Sequence, residues 1–206
     1  MPYGYLGQNA PNQTVSNSGV FDISSAADLE KQGKFGGSLE LIEEQTFSGV
    51  GFVDFTSIKE NKYDVHLLQY VVEPTTYERL YCQLYESGVL ETASVYQYGD
   101  QFGASNGSFS ELKSTASTFM YLNYSGIGYQ QGYAYFYNLG NSSKYSFLTH
   151  QAFVDDTGNS RMHFSFGGGV LPQASTVDGI RVFPQSTSNS FSGTANRYGV
   201  KQLWVL

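Results

Sequence analysis

The residues best suited to catalysis or metal binding are three histidines. His66, His150 and His163 each lie in a run that alternates like a β-strand, and none stands in a His-x-His or Glu-x-x-His spacing. A zinc site needs several such ligands at one point, and local spacing supplies none. The serines lack the Gly-x-Ser-x-Gly turn that would expose a nucleophile at the end of a strand. The histidines are therefore interpreted as sheet residues, and no metal, no cofactor and no catalytic residue is predicted.

The acidic and glycine-rich motifs also have simpler structural explanations. Glu43 and Glu44 are consecutive in a strand and point to opposite faces, whereas glycosidase carboxylates must face each other across a sugar. The segment "DDTGN", 155–159, lacks the acid spacing of an EF-hand loop and predicts a hairpin turn, with Gly158 supplying a positive φ. The segment "SFGGGV", 165–170, is not followed by the Lys-Ser/Thr of a phosphate loop.

The single cysteine excludes a disulfide framework within the chain. Cys82 lies in "RLYCQLYE", where alternation puts it on the same face as Leu80 and Leu84. A buried structural thiol is therefore expected.

Composition indicates an all-β protein with no nucleic-acid partner. Of 206 residues, 14% are charged and 16% aromatic, with 17 tyrosines and 23 glycines. Aromatic residues favour a pleated surface, and glycine favours turns. The chain carries a net charge of −7 and has no run of Lys and Arg that could form the basic stripe that nucleic-acid binding requires. No apolar run approaches the roughly 18 residues of a membrane span, and no charged-then-apolar leader follows Met1.

Strand signals recur at near-regular spacing from Gly37 onward, joined by turns rich in glycine, asparagine and serine. This pattern predicts an antiparallel, jelly-roll-like β-sandwich over 37–206, preceded by an extended N-terminal anchoring arm over 1–36. The predicted strands lie near 38–46, 50–56, 62–73, 78–86, 89–98, 117–124, 132–138, 144–154, 160–167, 177–183 and 195–205. The last two are expected to form a closing hairpin whose Ser/Thr/Asn tip can hydrogen-bond to a neighbour.

Tyrosine is the compositional feature with the clearest functional content, because its ring and hydroxyl suit both protein interfaces and sugar faces. In the segment 121–140, Tyr133, Tyr135 and Tyr137 share one strand face, while Ala134 and Phe136 share the other. The residues predicted to contact a partner are Tyr3, Tyr5, Phe21 and Phe35 in the arm, and Tyr121, Tyr124, Tyr129 and Tyr133 in this segment.

Several segments resemble a family of virion proteins of tailed bacteriophages, especially those of marine and freshwater bacteria and cyanobacteria. "GGSLELIEEQTFSGVGFVDFTSIKENKYDVHLL" (36–68) resembles a recurring module opening, while "LYESGVLETASVYQYG" (84–99), "YFYNLGNSSKYSFLT" (135–149) and "STVDGIRVFPQSTSNSFSGTANRYGVK" (175–201) resemble its middle and its end. "MPYGYLG" is similar to the short "PYIG"-like start of phage tail and head-fibre proteins, with Gly4 inserted. The resemblance is collinear over most of 36–201 and implies a β-sandwich virion component, commonly trimeric, with no catalytic residues.

The resulting expectation is a non-enzymatic phage structural protein, made in the host cytoplasm and incorporated into the virion. It would attach by its N-terminal arm, self-associate as a homotrimer, and decorate or cement the capsid or form part of a tail or fibre. Its partners would be the major capsid protein or tail and fibre proteins. The alternative is a host-receptor or glycan-binding module on a fibre, using the same scaffold.

Overall fold

The computed structural model describes residues 39–56, 58, 62–186 and 188–200, which form thirteen β-strands and one short 3-10 turn, Thr157–Asn159. The predicted arm, 1–36, lies outside the described residues. The strands are β1 (Leu39–Val50), β2 (Val53–Phe55), β3 (Val65–Pro74), β4 (Glu78–Glu86), β5 (Val89–Leu90), β6 (Tyr96–Ala104), β7 (Phe109–Ser117), β8 (Met120–Gly126), β9 (Gln130–Tyr137), β10 (Ser146–Asp156), β11 (Arg161–Leu171), β12 (Val177–Pro184) and β13 (Phe191–Val200).

The strands form two antiparallel sheets. The large sheet has eight strands in the order β1-β13-β3-β9-β10-β11-β6-β7. The small sheet has five, in the order β2-β12-β4-β5 with β8 also pairing with β4. Apolar residues from both sheets pack together between them. The predicted all-β class and antiparallel β-sandwich are therefore confirmed.

Alternation along the strands explains how one face of each sheet is buried. On β10, every second residue from Ser146 to Asp156 is buried, and the residues between them are exposed, as the two-residue period of a strand requires. On β9, Ala134 and Phe136 are buried while the tyrosines between and beside them are not, as predicted. The main core contains Leu68, Tyr70, Phe136 and Leu148 from the large sheet and Cys82, Leu84, Ile180 and Val182 from the small sheet.

A second, aromatic cluster forms where the β6–β7 end of the large sheet meets the small sheet. The rings of Tyr81 and Phe119 stack with centroids 3.8 Å apart, and the ring of Tyr121 packs edge-on against Tyr81. Phe183 completes the buried part, with Tyr98 and Leu112 packed against it.

One strand prediction was wrong in its boundaries, and one strand was missed. The strand predicted over 89–98 is instead the two-residue β5 and the beginning of β6, separated by a turn near Ser94. Strand β7 was not predicted at all. Its residues are exposed on both faces except at Leu112, Ser114 and Ser117, and among the described strands it pairs only with β6, so its sequence lacks the alternation of a half-buried strand.

The predicted closing hairpin is also wrong, because β12 and β13 lie in different sheets. β12 pairs with β2 and β4, whereas β13 pairs with β1 and β3. The buried Glu78 holds the connection between them: its carboxylate accepts hydrogen bonds from the backbone N–H of Ser186 at 3.0 Å and from the side chain of Asn189. Polar residues expected to meet a neighbour thus satisfy a carboxylate of their own chain.

The hairpin predicted at 155–159 is confirmed, but its positive φ is not at Gly158. Strands β10 and β11 pair directly on either side of the turn, and the left-handed residue is Ser160, with φ of 50°. The carboxylate of Asp156 accepts hydrogen bonds from Asn159 at 2.8 Å and from Arg161 at 3.2 Å. This carboxylate therefore fixes the turn.

Candidate binding surface on the large sheet

The outward face of the large sheet carries most of the large apolar side chains that are exposed. Of the fourteen exposed large hydrophobic residues in the described part of the chain, nine lie on its strands: Leu39, Leu41, Val71, Phe109, Tyr133, Phe147, Phe153, Met162 and Phe166. Exposed apolar groups that lie together on one face are typical of interaction sites.

On β10 and β11, phenylalanine lies on the outward face, while polar side chains lie among the buried inward residues of β10, β11 and β6. The buried inward residues include Asp100, His150, Asp156, His163 and Ser165. The outward residues include Phe147, Phe153, Phe164 and Phe166. Shifting the pairing of a strand by one residue would exchange its two faces. It is therefore the observed register that places these phenylalanines outward and these polar groups inward.

Outward phenylalanines lie on three strands of this face: Phe153, Phe164 and Phe109 lie on β10, β11 and β7, Phe166 follows on β11, and Phe147 on β10 is separated from them by Thr149 and Gly168. We call Phe109, Phe147, Phe153, Met162, Phe164 and Phe166 the phenylalanine patch. Phe153 and Phe164 are direct cross-strand neighbours, and the rings of Phe164 and Phe109 meet edge-on with centroids 6.0 Å apart. These two rings lie over Gly103, where a Cβ would be 2.6 Å from Cζ of Phe164. A glycine at this position therefore lets the patch extend across β6.

A second feature of the same face is a groove over β13, β3, β9 and β10. Strand pairing brings four side-chain amides together there: Gln69 and Asn196 are cross-strand neighbours, and Gln131 and Gln151 lie on the next two strands. We call these four residues and the cavity they line the carboxamide groove. Its volume is 460 Å³, and Val71, Tyr133, Phe153 and Thr194 also line it.

The amides of the groove retain unused hydrogen-bonding capacity. The hydroxyl of Tyr133 donates to Oε1 of Gln151 at 2.9 Å. Oδ1 of Asn196 is shielded from solvent and has no hydrogen-bond partner in the described part of the chain. A buried carbonyl oxygen of this kind requires a donor from elsewhere to offset its desolvation.

The four tyrosines predicted as contact residues do not share one surface. Tyr129 and Tyr133 are exposed by 61% and 38%. Tyr121 is buried in the aromatic cluster, where its hydroxyl accepts a hydrogen bond from Nη1 of Arg79 at 3.1 Å. Tyr124 is half-buried and stacks on Phe102 with centroids 3.7 Å apart. A contact role for any of them stays a prediction, and the predicted contact residues of the arm, Tyr3, Tyr5, Phe21 and Phe35, lie outside the described residues.

Sequence reasoning missed the phenylalanine patch, although a signal for it exists. In "SFLTHQAFVDD", residues 146–156, apolar side chains occur at both parities: Phe147 and Phe153 at one, Leu148 and Val154 at the other. A strand that is apolar on both faces is expected to be covered on both.

Two of the inward polar residues, His150 and Asp100, form a buried pair beside the aromatic cluster. Nε2 of His150 and Oδ1 of Asp100 are 2.5 Å apart, and burial raises the pKa of Asp100 although the hydrogen bond from His150 opposes that rise. Ser165 lines the same cavity, and its hydroxyl has no partner in the described part of the chain. Serine, histidine and aspartate are the residue types of a hydrolase triad, but the cavity holds about 10 Å³, roughly one water. In this conformation a substrate cannot enter.

A separate buried charge lies near the other end of the large sheet. Arg197 is fully buried, and its Nη2 donates to Oε2 of Glu43 at 3.1 Å. Burial lowers the pKa of Arg197, and the contact with Glu43 partly offsets this. The neighbouring Glu44 is exposed, so consecutive glutamates face opposite sides of β1, as predicted.

The thiol of Cys82 is fully buried, as expected, with Leu80 and Leu84 on the same face. Burial raises its pKa, so the nucleophilic thiolate is disfavoured. Within the described ranges, no group of three or more His, Cys, Asp or Glu side chains is placed to hold a metal ion. The same ranges contain no helix of the length and hydrophobicity needed to cross a membrane.

Comparison with protein-family models, with curated proteins and with solved structures finds no match to this chain.

Proposed function

We propose that this chain is a non-enzymatic structural protein of a tailed-bacteriophage virion that works through protein–protein contact. The β-sandwich associates with further copies of itself through the phenylalanine patch, and the N-terminal arm attaches it to capsid, tail or fibre proteins. The virion setting rests on the sequence resemblance over most of 36–201. The binding role rests on the structure.

The observation that carries the proposal is the phenylalanine on the outward face of β10 and β11, whose inward faces bury His150, His163 and Ser165. Burial of apolar side chains is the main force that selects a strand's register. Here the chosen register leaves Phe147, Phe153 and Phe166 exposed by 40% to 47%. A partner that covers these rings supplies the burial that the isolated chain lacks.

A second copy of the chain is a suitable partner because the patch is uncharged. The outward residues of β10 and β11 between Phe147 and Phe153 and between Phe164 and Val170 are threonine, glutamine, glycine and apolar residues. The charged neighbours Glu111 and Lys113, on β7, pair with each other at 2.6 Å. Two copies can therefore bring the uncharged part of their patches together, although Asp155, the exposed cross-strand neighbour of Met162, borders one end and each chain carries a net charge of −7.

The size of the patch indicates a modest contact for each pair of copies. Four strands about 4.8 Å apart, with four outward residues on each strand, cover about 400 Å². A standard interface buries roughly 800 Å² per partner. Face-to-face contact of two identical patches closes as a two-fold dimer, so the homotrimer expected from the sequence would need a further contact between copies.

Light scattering on the full chain over a wide concentration range tests the proposal. The wild type is expected to exceed the monomer mass as concentration rises, and F147T/F166T is expected to remain a monomer. Threonine keeps the β-propensity of these strand positions. The matched control is F52T/Y77T, which removes two aromatic rings of similar exposure, 48% and 44%, that lie outside the large sheet.

Self-association through the patch is refuted if the wild type stays monomeric at every concentration, or if the patch variant assembles as the wild type does. It is also refuted if the control variant loses assembly equally. Antibody labelling of particles from a phage that encodes the chain tests the virion setting separately, and particles without label would contradict it.

A further inference from the structure

We propose that the carboxamide groove is a binding site for a neutral glycan. This function is distinct from self-association, because the groove spans β13, β3, β9 and β10 whereas the patch extends from β10 to β7. Only β10 contributes to both features, through Phe153. A virion protein held by one part of this face would present the other part to a polysaccharide.

The hydrogen-bonding groups of the groove match a polyhydroxylated ligand. Each carboxamide offers two N–H donors and one carbonyl acceptor, and neighbouring sugar hydroxyls present donors and acceptors in the same way. The structure shows no hydrogen bond from the side chains of Gln69 and Gln131 to another described residue.

The rings of the groove supply the apolar part of sugar recognition. Tyr133 and Phe153 are exposed by 38% and 40% and line the groove on adjacent strands. An aromatic ring binds the C–H face of a sugar while polar groups beside it bind the hydroxyls. The hydroxyl of Tyr133 is tied to Gln151, which fixes the orientation of both side chains.

The residues that line the groove are uncharged, which favours a neutral ligand. Its polar members are amides, hydroxyls and backbone groups, and none of the residues that line it is Asp, Glu, Lys or Arg. Recognition of a sulfated or uronic-acid polymer would require cationic side chains. The volume of 460 Å³ is within the roughly 300–1,000 Å³ of ligand sites. The groove crosses four strands, about 14 Å, so it fits a stretch of polysaccharide better than a single sugar.

Affinity electrophoresis of the full chain tests this site, using native gels that contain dextran, mannan, galactan or xylan, with alginate as the charged comparison. We expect retardation by at least one neutral polymer and none by alginate. The groove variant Q69T/Q131T is expected to lower the apparent affinity about tenfold, because two amides that bind hydroxyls are lost. Y133T, which keeps the four carboxamides, is expected to weaken binding through loss of the ring.

The control variant is Q97T/Q101T, which removes two exposed glutamines from the same face outside the groove. It is expected to bind as the wild type does. Absence of retardation by all four neutral polymers overturns the proposal, as does retardation by alginate alone or equal binding by groove variant and wild type. Oligosaccharides of the bound polymer, added as competitors, distinguish recognition of internal sugar units from recognition of a chain end.

Failure of this site and failure of self-association are distinguishable. Q69T/Q131T leaves the phenylalanine patch intact, so its mass by light scattering is expected to equal that of the wild type. F147T/F166T leaves the four carboxamides intact and is expected to keep its glycan affinity as a monomer.

Discussion

Lowering the pH is expected to destabilise the fold through His66. This residue lies on β3 and is fully buried, and its ring packs edge-on against Tyr63 with centroids 5.9 Å apart. Neither ring nitrogen has a hydrogen-bond partner among the described residues. Burial, together with a smaller contribution from the nearby positive charge of Arg197, lowers the pKa of His66 to about 4.

The size of the effect follows from this pKa. In the unfolded chain the imidazole titrates near its ordinary value of 6.5, and in the folded chain near 4. Between these two values the unfolded state binds more protons, so the free energy of unfolding falls as the pH falls. The stability linked to His66 is complete above about pH 6.5 and decreases by about 2 kcal/mol at about pH 5. The total loss approaches roughly 3 kcal/mol below about pH 4.

Urea unfolding at about pH 7.5 and about pH 5 measures this difference for the wild type, H66L and H66Q. Both variants lack the titrating ring, so the change in unfolding free energy between the two pH values is expected to shrink by about 2 kcal/mol. H66L fills the site with apolar atoms and H66Q retains polarity, so agreement between them separates titration from packing. If both variants keep the wild-type pH dependence, the His66 reasoning is refuted.

Two further predictions concern the crossing connection and the thiol. E78Q is expected to speed amide exchange at Ser186 about tenfold, because the anionic acceptor that holds the β12–β13 connection is lost. The control is E73Q, at an exposed position on β3. Unchanged exchange in E78Q would show that Glu78 does not hold the connection. Cys82 is expected to react with Ellman's reagent only as the chain unfolds, because its thiol is buried and its pKa is raised. Rapid reaction in the absence of urea would contradict the described core.

The sequence predicted strands wherever alternation and turn residues agree, and failed where neither applies. On β9, alternation predicted that Ala134 and Phe136 share the face opposite the tyrosines, whereas β10 carries apolar residues at both parities and its inward face was not predicted. β7 is an edge strand exposed on both faces, and it gave no signal. β12 and β13 lie in different sheets because they pair with strands far earlier in the chain, β12 with β4 and β13 with β3, and local pattern carries no information about such pairing.

The candidate surface was less predictable than the fold because it depends on register. Gln69, Gln131, Gln151 and Asn196 are unremarkable outward residues in sequence, and only strand pairing brings them together. The tyrosine-rich segment drew attention to Tyr121 and Tyr124, but these two lie on β8 in the small sheet whereas β9 lies in the large sheet, and Tyr121 is buried while Tyr124 is half-buried. Composition thus identified the tyrosine that lines the groove, Tyr133, but not the amides beside it.

The energetics of the phenylalanine patch limit how it can work. Full burial of a phenylalanine contributes roughly 1.5–3 kcal/mol, and Phe147, Phe153 and Phe166 retain less than half of their surface for a partner to cover. Together these three rings offer about 3 kcal/mol per copy, or twice that where two patches meet. Association costs roughly 4–15 kcal/mol in lost freedom, so a single patch contact is marginal by itself. The same contact becomes effective when copies are already held near one another by a ring or by attachment to a particle, because the effective concentration is then high. A patch of this strength therefore fits a protein that assembles in many copies better than one that forms a lone tight dimer.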